Sequence, residues 1–305
     1  MDIIKELLSK VLPLYGFIIL GFFAARKWNL KSKWISKVLL YGLIPLVIIE
    51  NLLKADLSET AVVGAMVFLL AALMNIPALV ASRWIAPDMN KNMLQCSYSY
   101  YNIGWFGIPV VMALFGEAQM PLIISAYVGN ALYGDTVCYY LMSKTNDESP
   151  GKALANVFKI PAIYACILAI VLNVMEVKFP ENLEIAGDVV SWTISTLGML
   201  LIGITLEGID FKEVAYAVFA KLLAIRYVAG AAILLGLVFL EKGLIGKLDE
   251  DQSNLMILLV SFPIAANLVV FATNLDTEKE NSALMVGLSS IASLLLVPLL
   301  ALVLF

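Results

Sequence analysis

Apolar residues run along this chain in stretches of about 20, the length a helix needs to cross a hydrocarbon core about 30 Å thick. Ten such stretches can be traced, near residues 8–25, 34–53, 61–84, 93–115, 120–142, 153–174, 185–206, 214–240, 255–274 and 283–305. Short polar breaks separate them and leave no room for a soluble domain. The longest break near the middle, residues 143–152 (SKTNDESPGK), has the proline, glycine and charge content of a linker. It divides the chain into residues 1–142 and 153–305, with five stretches each. The halves resemble each other: Pro13 and Pro109 stand 96 residues apart in the first, Pro161 and Pro263 stand 102 apart in the second. An odd number of crossings per half turns the second half upside down relative to the first, a plan common in secondary transporters. The pattern predicts an all-α polytopic membrane protein. Its ten transmembrane helices form two inverted five-helix repeats, and the interrupted fourth and ninth helices meet near the midplane.

Composition strengthens this reading. Of 305 residues, 61% are hydrophobic and only 14% charged, and the mean hydropathy is +0.91. Soluble domains average about 45–50% apolar and about 25% charged. A globular enzyme, a nucleic-acid binder and a disordered adaptor are thereby set aside. There is no histidine, which removes Ser-His-Asp and Cys-His catalysis and histidine proton relays. Cys96, Cys138 and Cys166 lie in apolar stretches without metal-ligand spacing and read as small hydrophobes. Asp2 and Glu6 interrupt the first residues, which are not expected to form a secretory leader. Twelve lysines and arginines follow odd-numbered stretches and six lie on the other side. That bias predicts an inner-membrane protein with both termini outside the cytoplasm and residues 143–152 inside it.

The fourth stretch is the richest in chemistry. Residues 95–109 (QCSYSYYNIGWFGIP) are too polar and too rich in glycine for a lipid-facing helix. Pro109 lacks a backbone donor, and Gly104 and Gly107 weaken the helix before it. Backbone unwound at membrane depth survives only where protein buries it or where it lines a wet cavity. Its free N–H groups, and a half-helix restarting near Pro109, would suit an anion, with Asn102 adding a neutral donor. A simple proline kink packed with tyrosines is the alternative. The ninth stretch repeats the pattern in Ser261–Asn267 (SFPIAAN), where Ala265 and Ala266 permit close approach of two backbones. Matched interruptions in two halves point to a transporter binding site. The candidate substrate-binding residues are Asn102, Gly107, Pro109, Asn130, Tyr133, Pro263 and Asn267. No cofactor or metal is expected, and coupling to a proton or a sodium ion is left open.

Ionisable residues within the stretches each need a reason, because charge is costly in hydrocarbon. Arg226 reads as a counter-charge to an anion, or as a structural partner of Asp135 or of backbone carbonyls. Asn130 and Tyr133 share a helix face, whereas Asp135 points elsewhere, toward helix packing or toward a proton-carrying role. Glu50 is either a titrating carboxylate or an ordinary interfacial one. The aromatic cluster of Tyr98, Tyr100, Tyr101, Trp105 and Phe106 can stack on a substrate or pack between helices.

The run from Asn102 to Gly107-Ile108-Pro109 resembles the N-x-x-x-x-G-[IL]-P stretch of the auxin efflux carrier family, and residues 262–304 resemble that family's C-terminal signature. The resemblance covers essentially the whole chain. It implies a ten-helix fold, distantly similar to sodium–bile acid symporters, with a scaffold of the first, second, sixth and seventh helices. The remaining helices form a transport domain in which the fourth and ninth cross at their prolines, and a substrate carboxylate is held beside the crossing. Unlike plant members, this chain has a minimal linker, which argues against auxin and against regulation by loop phosphorylation. The expected function is alternating-access transport of a small organic anion. The expected partners are a carboxylate substrate and the lipid bilayer, with a homodimer as an option and no nucleic acid. Two rivals stand beside it: a drug/metabolite-type exporter of a neutral or cationic molecule, which needs no matched proline breaks, and a membrane ligand sensor.

Overall fold

The computed structural model describes residues 2–28, 30, 32–54, 57–146 and 149–305. Lys31, one of the twelve biasing cations, and Asp147 and Glu148 of the linker lie outside the described residues. Helices α1 (Asp2–Trp28), α2 (Ser32–Lys54) and α3 (Ala61–Trp84) are followed by α4 (Lys91–Ser99) and α5 (Ile108–Phe115). Next comes α6 (Met120–Tyr133), which passes through a π turn at Gly134–Cys138 into α7 (Tyr139–Ser143). The second half contains α8 (Pro150–Val157), α9 (Pro161–Val174), α10 (Glu184–Leu206) and α11 (Tyr216–Leu244). It ends with α12 (Glu250–Leu258), α13 (Asn267–Leu275) and α14 (Lys279–Leu304). Among the described residues α2, α3, α10, α11 and α14 are each long and apolar enough to cross a membrane. The pair α8 and α9, bent by 54°, makes a sixth such span. This is a polytopic all-α membrane protein.

Its solvent logic is inverted. Large apolar side chains such as Ile185, Val228, Phe239 and Leu244 are more than 70% exposed, whereas Ser97, Ser99, Arg226, Ser282 and Ser289 are fully buried. In lipid the outer face needs no polar coat, so polar groups collect where they can bond one another. Helix α1 packs on α10, α2 on α9 and α3 on α6. The α3–α6 contact depends on glycine. A Cβ on Gly129 would run into the backbone carbonyl of Gly64, so the two backbones touch with no side chain between them. Such small-residue contacts give helices in lipid their close packing.

Two helices are broken at the centre. Helix α4 stops at Ser99, and a short 3-10 turn after α12 stops at Ser261. The two unwound stretches then pair with each other. The Ala265 N–H donates to the Tyr100 carbonyl (3.0 Å) and the Asn102 N–H to the Pro263 carbonyl (2.9 Å), with Tyr101 and Ile264 facing each other in an antiparallel bridge. Side chains satisfy what remains. The Asn130 amide donates to the Tyr101 carbonyl (2.7 Å) and accepts from its N–H (3.1 Å), while Ser289 Oγ accepts from the Ile264 N–H (3.0 Å).

Arg226 closes the arrangement from behind. It is completely buried on α11, with Nε donating to the Ser97 carbonyl (3.1 Å) and Nη1 to the Phe262 carbonyl (3.2 Å). Its guanidinium stacks over the Tyr101 ring, 4.3 Å from the centroid. Of the two structural partners expected from sequence, Asp135 is therefore not the one; backbone carbonyls are. A cation at this point also suits the carbonyl end of α4.

The position of the first break differs from expectation. The helix restarts at Ile103, well before Pro109, with Asn102 as its cap: Asn102 Oδ1 accepts from the Trp105 N–H at 3.3 Å. A π turn over Ile103–Gly107 leads directly into α5, the Gly107 N–H reaching back to the Asn102 carbonyl (3.0 Å). The π turn ends at Gly107, two residues before Pro109. Pro109 thus sits in the first turn of α5 and is not where the backbone unwinds. Pro263 lies within its unwound stretch and lends it a carbonyl.

These contacts have measurable costs. Replacing Arg226 by Met strands two buried carbonyls, at about 1–3 kcal/mol each. Arg226→Met is expected to lower the apparent melting temperature strongly in detergent. Arg226→Lys, which keeps charge but not the fork, should fall between it and wild type. Gly129→Leu should abolish a monodisperse size-exclusion peak, whereas Gly236→Leu, with open space around it, should not.

Candidate functional site

A small cavity lies directly beside the paired backbones. Tyr100, Tyr101, Asn102, Gly104, Trp105, Ala265 and Asn267 form its crossover wall, with Tyr127 and Asn130 of α6 beside them. Ile44 and Val47 of α2 and Ile194 of α10 close the opposite side. Its free volume is about 20 Å³, room for little more than a water molecule. Tyrosine and asparagine side chains make its walls partly polar, and none of the described lining residues is charged.

Asn102 is the most telling member. It is 3% exposed, its Oδ1 is committed to the cap of its own helix, and its Nδ2 has no hydrogen-bond partner. An unmade donor in such a place costs about 1–3 kcal/mol, which an acceptor entering the cavity would recover. Two helices also begin at this wall, at Ile103 and at Asn267, which sets the positive ends of their dipoles beside the cavity. A free neutral donor and two helix N-termini are the features by which a protein can hold an anion without a fixed cation.

The other predicted residues separate. Asn267 lines the cavity and donates through Nδ2 to the Tyr100 hydroxyl (2.8 Å). Asn130 lines it too, but its amide is engaged with both polar groups of Tyr101. Gly107 faces away: a Cβ there would press 2.5 Å from the Phe262 ring, so glycine serves the packing of the two broken segments. Tyr133, paired with Asn130 by helical spacing, instead takes a hydrogen bond from Asn75 of α3 and lies outside the cavity wall. Glu50 lies a turn beyond Val47, 6% exposed and ion-paired with Lys54 at 2.8 Å, with the Gly187 backbone of α10 against it.

Asp135 also differs from its expected placement. The π turn at Gly134–Cys138 shifts the register, and Asp135 Oδ1 accepts from the Tyr100 hydroxyl (3.2 Å). Gly134 allows this, since a Cβ at that position would occupy the Tyr100 ring. Asp135 also lines a second cavity, of about 230 Å³, between α2, α6 and α9. Sequence reasoning had placed Tyr100 and Trp105 in an aromatic cluster without assigning them to this wall. It missed Tyr127, Ile44, Val47 and Ile194, which sit in uniformly apolar stretches and carry no local signal.

Residues 6–301 match the membrane transport protein family. A protein of Escherichia coli (strain K12) named uncharacterized transporter YfdV is 22% identical over 207 residues, covering 65% of this chain. That match spans 63% of the relative, under two thirds of its length. A protein of Rhizobium meliloti (strain 1021) named "Putative malonate transporter" is 23% identical over 310 residues, covering 94% of this chain and 92% of the relative. With nearly its whole length matched, the chain belongs to the membrane transport protein family, that of the auxin efflux carriers whose motifs it carries.

Proposed function

We propose that this protein is a secondary transporter, not an enzyme, which moves a small organic anion across the inner membrane by alternating access. Malonate, carried in the name of the Rhizobium relative, is the first substrate to test. The observation that carries the reading is the buried, unpartnered Nδ2 of Asn102 at a cavity flanked by two helix N-termini. In this reading the chain crosses ten times, in inverted halves 1–142 and 153–305 joined by a cytoplasmic linker, with both termini outside. Five or six spans are recognisable by length alone, and the broken pairs α4 with α5 and α12 with α13 supply two more.

The mechanism follows from the walls of the cavity. The crossover residues belong to segments fastened to one another through Arg226, Asn130 and paired backbone, so they move together. Ile44, Val47 and Ile194 belong to α2 and α10 and give the wall only apolar side chains, while the Ser36 hydroxyl of α2 donates to the Val270 carbonyl of α13 (2.7 Å), a bond the movement must break. Sliding of the crossover unit past α2 and α10 would enlarge the present space and expose it to alternate sides. Trp105 lies against Gly198 of α10, where a Cβ would collide with the indole ring. A bulky aromatic on a glycine gives a smooth surface for that movement.

Asn102→Ala is expected to lower the ligand-free melting temperature modestly, through loss of the helix cap, and to lose about 1.5–3 kcal/mol of binding, the value of a hydrogen bond to a charged group. Malonate would then no longer raise the melting temperature of purified protein at concentrations that protect wild type, and counterflow in proteoliposomes would be lost. Wild-type protection by neutral or cationic compounds alone, unaffected by this substitution, would reject the anion reading.

A further inference from the structure

The polar chain behind the cavity reaches a group that nothing in the binding scheme uses. Asn267, in the cavity wall, donates from Nδ2 to the Tyr100 hydroxyl at 2.8 Å, and Tyr100 donates in turn to Asp135 Oδ1 at 3.2 Å. Both donors point one way, from the cavity toward Asp135. A phenol hydroxyl has one hydrogen to give, so this direction requires an acceptor oxygen at Asp135. The charged and titratable neighbours are few. Tyr100 faces Asp135 from the stretch after α4, Tyr127 from its own helix α6 and Cys166 from α9, with Cys138 near Tyr100. Glu50 of α2 lies beyond Tyr127. No lysine or arginine is paired with Asp135 among the described residues. The far side of the carboxyl opens onto the second cavity, whose remaining lining is almost wholly apolar.

We propose that Asp135 is the proton-coupling residue of the transporter and that Tyr100 and Asn267 carry its protonation state to the crossover cavity as a reversal of hydrogen-bond direction. This rests on the reading of the crossover as an anion site. A proton entering through the second cavity converts the Asp135 carboxylate to a carboxylic acid, whose O–H now donates to the Tyr100 oxygen. The Tyr100 hydrogen is displaced toward Asn267, which turns its amide so that Oδ1 accepts it. Asn267 Nδ2 is thereby released toward the cavity, beside the free Nδ2 of Asn102. No proton reaches the substrate; one proton stays on Asp135 while one anion sits in the cavity. An ionised Asp135 withdraws the second donor and weakens anion binding. Because linkage is reciprocal, bound anion favours protonated Asp135 by the same factor, which is the requirement for proton–anion symport.

The test measures malonate affinity of the purified transporter by isothermal titration across a pH range in which malonate is fully ionised. The expected wild-type Kd rises about tenfold per pH unit once Asp135 ionises, as one linked proton demands. Asp135→Asn, whose amide can donate permanently to Tyr100, should bind with the low-pH affinity of wild type at every pH. Tyr100→Phe should lose the dependence as well, and Asn102→Ala should lose affinity throughout. A Kd that is flat with pH in wild type, or a slope that persists in Asp135→Asn, overturns the proposal while leaving the anion site standing.

A readout that needs no substrate separates the two readings. In ligand-free protein, infrared difference spectra between high and low pH should show a carboxylic C=O band together with a Tyr100 ring shift. Both should vanish in Asp135→Asn. If they are present but malonate does not bind, the substrate reading fails and the switch survives. If they are absent in wild type, the switch is wrong.

Discussion

Everything at the centre of this molecule follows from one constraint: a backbone amide or carbonyl in hydrocarbon has no water to bond. Unwinding a helix there releases several such groups at once. The protein unwinds two helices and lets them satisfy each other, so the break in α4 is tolerable because of the break after α12. What the short antiparallel contact leaves over is taken up by Asn130, Ser289 and Arg226. Each comes from a different helix, and the crossover therefore holds α6, α11 and α14 in register with it. The costly feature of the fold is also what organises its interior.

Three asparagines look equivalent in the sequence, yet they have three different duties. Asn130 is spent on backbone, Asn267 on the Tyr100 hydroxyl, and Asn102 keeps one donor unspent. A binding site requires that kind of residual capacity; the Tyr101 hydroxyl and Arg226 Nη2 are also unpartnered at the crossover, but Asn102 is the one of the three asparagines with an unspent donor in the cavity wall. Arg226 follows the same logic. A fully buried cation near the cavity invites assignment to a substrate, but its Nε and Nη1 bond the Ser97 and Phe262 carbonyls. In the proposed anion site the attraction then comes from dipoles and amides, which can hold an anion without trapping it.

The helical class and the involvement of both proline-bearing segments were legible from apolar run length and from the matched positions of Pro109 and Pro263. The site was less so, for identifiable reasons. Regular 3.6-residue spacing turned Asp135 away, whereas Asp135 stands in the π turn at Gly134–Cys138 and meets Tyr100; Tyr133 keeps its helical spacing from Asn130 but is taken by Asn75 of α3. A second π turn precedes Pro109, and the break lies at Tyr100–Asn102. Sequence periodicity has no marker for a π turn beyond glycine at its edge. Tyr127, Val47 and Ile194 reach the cavity through the packing of distant helices, information that no local pattern contains. Gly107, chosen as a ligand-side residue, proved to be a space requirement set by Phe262 across the crossing.

The short connection between the halves has a mechanical side. Asn146 bonds the Leu275 carbonyl at the end of α13 (3.0 Å), and the Thr145 hydroxyl meets that of Thr277 (2.8 Å). The start of the linker is thus moored to the same broken helix pair that builds the crossover. Further along, α8 and α9 meet at the 54° bend at residues 158–160. In the proposed alternating-access movement that bend would serve as an elbow between the moored crossover unit and α9, with its neighbour α2.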